Sequence, residues 1–390
     1  MKKDIYGEEK KKINKKKIIL LVCVLILIIS LIGVTVEYFM NENFQKEVDQ
    51  HFFMKDFQES ETKNIGIENE ENSFVCVYHR YIGILSNHNL SIYNTLAEKE
   101  KDFSINVTNP LFEANGKYLA IADKKGKKLY LIKDTNILWQ TDVDGEINKI
   151  TMNKNGYLAV SILQTSNKAA VVVYNTQGKE MFKTHLSNSY IMDTDISSDN
   201  KYLGIAEVNM TGTSIQSNVK IVSFEKVEVD AYNSIIYNKP SETGRLMIGI
   251  KYNNNGELIC MYEDGITKIQ NQKEEVIENY SNNTLFANID MNEKMVTIDS
   301  NQNEDETSSL LRMKNENGTD EKNYSINGIP KELKVGKNKI AVNTGMQAYF
   351  INQQGLLIKS YESKQEIKEI ILGNHLAAIV YKNKVNIIEI

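Results

Sequence analysis

Apolar residues are distributed along this chain in two very different ways. From Ile18 to Val36, nineteen residues carry no charge (IILLVCVLILIISLIGVTV), and as a helix they would extend roughly 28 Å, the thickness of a bilayer hydrocarbon core. From Phe74 to Ile390 the apolar residues fall in short runs separated by turns, and one turn-and-strand pattern recurs about eight times. Asn115-Gly116-Lys117-Tyr118-Leu119-Ala120 is echoed by Asn155-Gly156-Tyr157-Leu158-Ala159, then by Asp199-Asn200-Lys201-Tyr202-Leu203-Gly204 and Asn255-Gly256-Glu257-Leu258-Ile259. Weaker copies begin at Arg80, Glu293, Asn338 and Asn374. Each turn uses residues that tolerate positive φ, and the apolar run after it reads as an inner strand. A second strand follows, as in Val172-Val173-Tyr174-Asn175 and Tyr349-Phe350-Ile351-Asn352, closed by Gly178 and Gly355 before a third or outer strand (KEMFKT, LLIKSY).

A period near ~40 residues with four strands per unit is the pattern of propeller blades, which stack around an axis because a lone blade cannot cover its apolar faces. The expectation is an all-β propeller of eight blades, with seven as the alternative because the first copy is short. The last repeat, from Ile367 to Ile390, has room for only three strands. Its outer strand should therefore come from the other end of the chain, around Asn64-Ile65-Gly66-Ile67.

Between the two regions, Val36, Met40, Phe44, Val48 and Phe52 recur every fourth residue and lie on one helical face. Such a stripe either packs on the propeller or membrane surface or pairs with a second copy. The expected organisation is a basic tail at 1–17, a transmembrane helix at 18–36, a helical stalk at 37–63 and the propeller at 64–390.

Charge sets the orientation. Residues 1–17 hold eight lysines against Asp4, Glu8 and Glu9, an excess of five. Juxtamembrane lysines stay on the cytoplasmic side, so the propeller is expected outside the cell membrane. A cleaved signal peptide is the competing reading, but its apolar core is shorter and ends in a small-x-small site, which Gly33-Val34-Thr35-Val36 does not supply. Lipid attachment at Cys23 is disfavoured by the bulky Val22 before it. With a formal charge of −5 overall, the chain beyond Lys17 carries −10, which argues against nucleic acid as a partner. Cys76 and Cys260 sit in apolar runs and read as buried free thiols, a bridge between them being the alternative.

Ser197-Ser198-Asp199-Asn200-Lys201-Tyr202-Leu203 resembles the turn of WD40-like and TolB-like propellers, with Ser198 in place of a proline. LYLIKDTNILWQTDVDG, from Leu129 to Gly145, is similar to the strand–turn–Trp signature of quinoprotein-like propellers, but it occurs once. The whole order of anchor, stalk, YIGILSNHNLSIYN, GKYLAIADKKGKKLYLI, GYLAVSIL…VVVYNTQGKE and SSDNKYLGIAEV resembles a family of single-pass membrane-anchored propeller proteins from low-GC Gram-positive bacteria. That resemblance implies architecture and carries no activity or site residues.

Chemistry is not announced by any motif. The chain has no G-x-S-x-G elbow, H-E-x-x-H, C-x-x-C or EF-hand loop, and its five histidines are scattered. No cofactor, metal site or catalytic residue is expected. The polar connections Gln164–Lys168, Asn209–Asn218 and Ser300–Ser309, read as joining inner to second strands, should share one face. Their residues Asn209, Thr211, Thr213, Gln216, Glu304, Asp305 and Glu306 are the candidate partner-binding positions. A basic loop at Asp123–Lys128 belongs to the same face. The expected function is a non-enzymatic, membrane-anchored envelope protein that binds or scaffolds a protein, peptide or wall component. The alternative is a propeller enzyme or small-ligand sensor with a polar site in the central channel, which acidic or histidine residues clustered along the channel would favour.

Overall fold

In the computed structural model, the residues described are 28, 30–36, 63–67, 72–164, 169–186, 189–209, 214–227, 234–301, 308–317 and 321–390. They fall into two compact units, 1–56 and 57–390.

In the first unit, residues 28 and 30–36 are helical and exposed, and the Thr35 hydroxyl donates to the Leu31 carbonyl at 2.7 Å. Among the described residues no helix is long and apolar enough to cross a membrane. The rest of the 18–36 segment, the basic tail and the proposed stalk to residue 62 lie outside the described residues. Lys63, placed last in the stalk by the sequence pattern, is instead the first residue of a strand.

The second unit is a β-propeller with eight four-stranded antiparallel sheets among its described residues. Blades 1 to 7 occupy residues 73–104, 110–142, 146–186, 189–240, 247–279, 284–327 and 332–362, each with its strands in chain order. Blade 8 takes Glu369–Leu372, Leu376–Val380 and Lys384–Glu389 from the C-terminus and its outermost strand, Lys63–Gly66, from the start of the domain. Lys63 pairs with Ile387 and Ile65 with Val385, and the Ile67 amide donates to the Asn383 carbonyl at 2.9 Å. This is the closure expected from the three-strand length of the final repeat.

The repeated turns form where the sequence places them, with positive φ at Gly116, Gly156, Asn200 and Gly256. Asn153 shows why the motif begins before the glycine. Its Oδ1 accepts the amides of Asn155 and Tyr157, at 3.0 and 3.1 Å. Asn253 does the same for Asn255 and Glu257, and Asn175 and Asn352 do so at the outer turns before Gly178 and Gly355. Such Asx-type bonds fix a tight reversal without help from neighbouring blades.

One expectation is corrected. The strand after each turn is the second of its blade, and the strand before the turn is the innermost. Tyr118–Asp123, Leu158–Leu163 and Tyr202–Asn209 are therefore second strands, and the long connections at 164–168, 209–218 and 300–309 join second to third strands. Burial explains the error. Second strands are largely covered on both faces and mostly apolar, as in LAVSIL, whereas innermost strands border the open channel and carry charges, as in EINKITM and SYIMDTDI.

The core is divided into seams, one between each pair of adjacent blades. Leu131, Met152 and Val172 belong to the seam of blades 2 and 3. Ile65, Ile82, Ala378 and Ile387 belong to the closing seam of blades 8 and 1. The seam of blades 5 and 6 is the thinnest, with Ile259, Ile266, Ile289 and Met295 as its buried apolar residues. Ionic links supplement it, including Lys314 Nζ to Glu278 Oε2 at 2.8 Å.

Cys76 and Cys260 are free, buried thiols in separate blades. Burial pushes the Cys76 thiol up to about 12, so it packs as a small hydrophobe. Gly83 makes room for it, since a Cβ there would lie 2.6 Å from Cys76 Sγ and 3.2 Å from Leu90 Cδ1. Gly83→Ala should lower stability by about 1–3 kcal/mol through overpacking. Adding Cys76→Ala should restore part of that loss in denaturant melts, whereas a purely additive double variant would locate the strain elsewhere.

Candidate functional site

Side chains of a strand alternate, so Glu113 and Asn115 share one face of the innermost strand of blade 2 (Pro110–Asn115), and Asp193 and Asp195 share one face in blade 4 (Ser189–Ile196). Lys149 in blade 3 (Glu146–Met152) and Lys251 in blade 5 (Met247–Tyr252) supply the opposing charge. Asp290 and Lys337 come from the turns that end the innermost strands of blades 6 and 7 (Thr284–Asn288 and Glu332–Val335).

These residues line two cavities along the axis. One, of about 330 Å³, opens among the turns between innermost and second strands and is bordered by Asn115, Asn153, Lys154, Asn292 and Lys337. The other, of about 270 Å³, lies on the far side and is bordered by Lys149, Asp193 and Ile248. Glu113, Asp195, Lys251 and Asp290 border both, so they form the partition between them.

Lys251 is the hub of this partition. Its Nζ lies 3.8 Å from Asp195 Oδ1 and 3.9 Å from Asp290 Oδ1. The Asp195 carboxylate, reinforced by Asp290 and Glu113, holds the ammonium above its ordinary pKa, so Lys251 acts as a fixed cation. Asp195 is buried and its Oδ2 accepts the Tyr252 amide at 2.7 Å. Asp193 Oδ2 accepts the Ile250 amide at 3.0 Å, and Asp193 Oδ1 pairs with Lys149 at 2.6 Å. The two aspartates thereby bind the innermost strand of blade 4 to that of blade 5 through backbone amides. Burial raises the Asp195 carboxyl to about 6, against the pull of Lys251. Glu113 rises further, to about 7, through burial and the repulsion of Asp290 and Asp195.

At the mouth, Lys337 Nζ donates to Asn115 Oδ1 at 2.6 Å, a bond from blade 7 to blade 2. Asn115 is held from its other end, its Nδ2 donating to the Met152 carbonyl at 3.0 Å. Burial, together with Lys251 and Lys154, pulls the Lys337 ammonium below its ordinary pKa.

The candidate positions read from the sequence lie elsewhere. Asn209 and Gln216 face each other in register at the end of the second and third strands of blade 4, on the propeller face opposite the turns. They border a hollow of about 230 Å³ with Glu207 and Asn218. There Glu207 Oε1 is taken by Lys220 and by Asn218 Nδ2, each at 2.6 Å. Thr211, Thr213, Glu304, Asp305 and Glu306 lie outside the described residues. Among the described residues no three His, Cys, Asp or Glu side chains are grouped to hold a metal ion. The channel charges were missed because they precede the turns; the alternation in MDTDI and FEAN was the available signal.

The fold and the axial site define an eight-bladed β-propeller with a charged, partitioned channel. The chain belongs to DUF5711, a family of unknown function whose profile matches residues 12–390. No curated protein matches its sequence. In fold it is similar to BamB from Moraxella catarrhalis, at a TM-score of 0.53 and 8% identity, over 84% of this chain and 98% of that one. It is also similar to the C-terminal WD40 domain of Sif2, at a TM-score of 0.55 and 13% identity, over 84% and 97% of the two chains. A third likeness is to the dihydro-heme d1 dehydrogenase NirN in complex with DHE, at 0.50 and 9%, over 82% and 74%. At these identities the likeness is one of fold alone.

Proposed function

We propose that this protein is a membrane-tethered, extracytoplasmic binding protein that holds a small polar ligand at the mouth of its central channel without converting it. The observation that carries this reading is the cavity of about 330 Å³ into which five blades bring charges of both signs, Glu113, Asp195, Lys251, Asp290 and Lys337. A concave site with a few convergent polar groups is the usual form of a small-molecule pocket. Binding is favoured over catalysis because Lys251 is fixed as a cation beside Asp195 and Asp195 is engaged by a backbone amide, leaving that pair committed. The uncharged segment 18–36 behind eight lysines supports the tether and its orientation. The channel mouth takes precedence over the hollow at Asn209 and Gln216, whose one carboxylate, Glu207, is already engaged by Lys220 and Asn218.

Native mass spectrometry of the full-length protein, extracted in detergent from its own membrane, tests this reading. A small molecule retained by the wild type and lost from Lys337→Met is expected. A ligand-free wild type that also shows no thermal shift with any compound of a polar-metabolite panel would defeat the channel assignment. Protease added to intact protoplasts should remove the propeller, and protection of that domain would defeat the orientation.

A further inference from the structure

The charges around the larger cavity are not all in direct ion pairs. Lys251 has Asp195 and Asp290, and Lys149 has Asp193. Glu113 and Lys337 border the same cavity, and among the described residues neither has an oppositely charged partner within 4 Å. The Lys337 ammonium rests on a neutral amide oxygen, that of Asn115. Glu113 stands two residues before Asn115 on the same strand face, a step of about 7 Å. Glu113 feels Lys251 only beyond ion-pair distance and accepts from the Met152 amide. One cavity thus offers a carboxyl and an ammonium that both lack a direct ion-pair partner among the described residues, the ammonium held by a residue about one strand repeat from Glu113.

From this juxtaposition we infer that the channel mouth takes a zwitterion, a free α-amino acid whose ammonium meets Glu113 and whose carboxylate meets Lys337. Two charge-assisted hydrogen bonds of about 2.8 Å each bridge a gap of that size when the ligand carries its ammonium and carboxylate on one carbon. A simple anion would satisfy Lys337 and repel Glu113, and a simple cation would do the reverse. Asn292, which also borders the mouth, can bond either end of the ligand without adding net charge. An ammonium beside Glu113 also offsets the repulsion it feels from Asp195 and Asp290, so binding should draw a proton from Glu113 and tighten as pH rises toward neutrality.

The inference rests on the channel reading, and its test separates the two. Full-length protein in detergent is titrated at pH 7.5 with the twenty common amino acids, and with the N-acetyl and amide forms of whichever binds, followed by calorimetry. A free amino acid is expected to bind and both blocked forms to weaken by about ten- to a hundred-fold, the loss for one charge-assisted bond. Glu113→Gln should impair the free acid and leave the N-acetyl form little changed, and Lys337→Met should do the same with respect to the amide. Equal binding of a blocked form overturns the zwitterion while leaving the channel site, provided Lys337→Met still weakens it. Binding indifferent to both variants overturns site and ligand together, and failure of all twenty amino acids overturns the zwitterion whatever molecule co-purifies.

Discussion

Deleting residues 384–390 from the full-length chain is expected to abolish cooperative unfolding of the propeller. The strand Lys384–Glu389 is paired on both sides, with Leu376–Val380 and with Lys63–Gly66. Its loss therefore frees the N-terminal strand as well and leaves blade 8 with two strands. It also opens two seams at once, because Val385 and Ile387 pack between blades 8 and 1 while Ile388 packs between blades 7 and 8. All three are buried, and each such side chain contributes about 1.5–3 kcal/mol. Their combined loss, about 5–9 kcal/mol, is comparable with the whole stability of a typical domain. Removing residues 63–67 instead takes one outer strand and one buried side chain, Ile65, and should leave a weakened but cooperative fold. Circular-dichroism melts and limited proteolysis distinguish the two. A C-terminal truncation melting within a few degrees of the wild type would mean that the ring does not depend on this closure.

The closure was legible in the sequence because strand counting is insensitive to which strand lies at the axis. Eight turn motifs and a final repeat too short for four strands were enough to place Ile65 beside the C-terminus. The order of strands within a blade was not legible from the same pattern. A turn such as Asn155-Gly156 reports that two strands reverse, and nothing in it says which of the two faces the channel. Apolar continuity suggested the strand after the turn, since LAVSIL looks more buried than EINKITM. The geometry reverses this, because the strand nearest the axis has only the open channel beyond it. That inversion hid the site. Glu113, the Asp193 and Asp195 pair, and Lys251 come from three different blades, and their convergence is a product of ring closure that no local spacing encodes. The candidates at Asn209 and Gln216 were chosen for loop length and polarity, and the structure puts them at the ends of paired strands remote from the partition.

Replacing Lys251 with methionine should be the most damaging single change in the channel, and its cost should depend on pH in a definite direction. Methionine keeps much of the volume and removes the one cation shared by Asp195, Asp290 and Glu113. Removing one member of a fully buried ion pair costs about 3–5 kcal/mol when the other is left charged, and the partial exposure of Lys251 and Asp290 brings the cost here below that range. In the wild type the Asp195 and Glu113 carboxyls are already raised, to about 6 and about 7. A carboxyl raised on folding favours the folded state fully below its unfolded pKa, near 4, and that contribution is lost as pH climbs through the folded value. Without Lys251 both values rise further, so the loss extends to higher pH and deepens. The variant should unfold near wild-type denaturant concentrations at pH 4.5 and fall well short of them at pH 8. Glu113→Gln is the complementary case. It cannot ionise, so it should match the wild type at pH 4.5 and exceed it by roughly 1–2 kcal/mol at pH 8, part of the ~1.4 kcal/mol per pKa unit that a wet channel retains. A Lys251→Met penalty of the same size at both pH values would show that this lysine acts through packing of its stem, and the charge balance assigned to the partition would then fail.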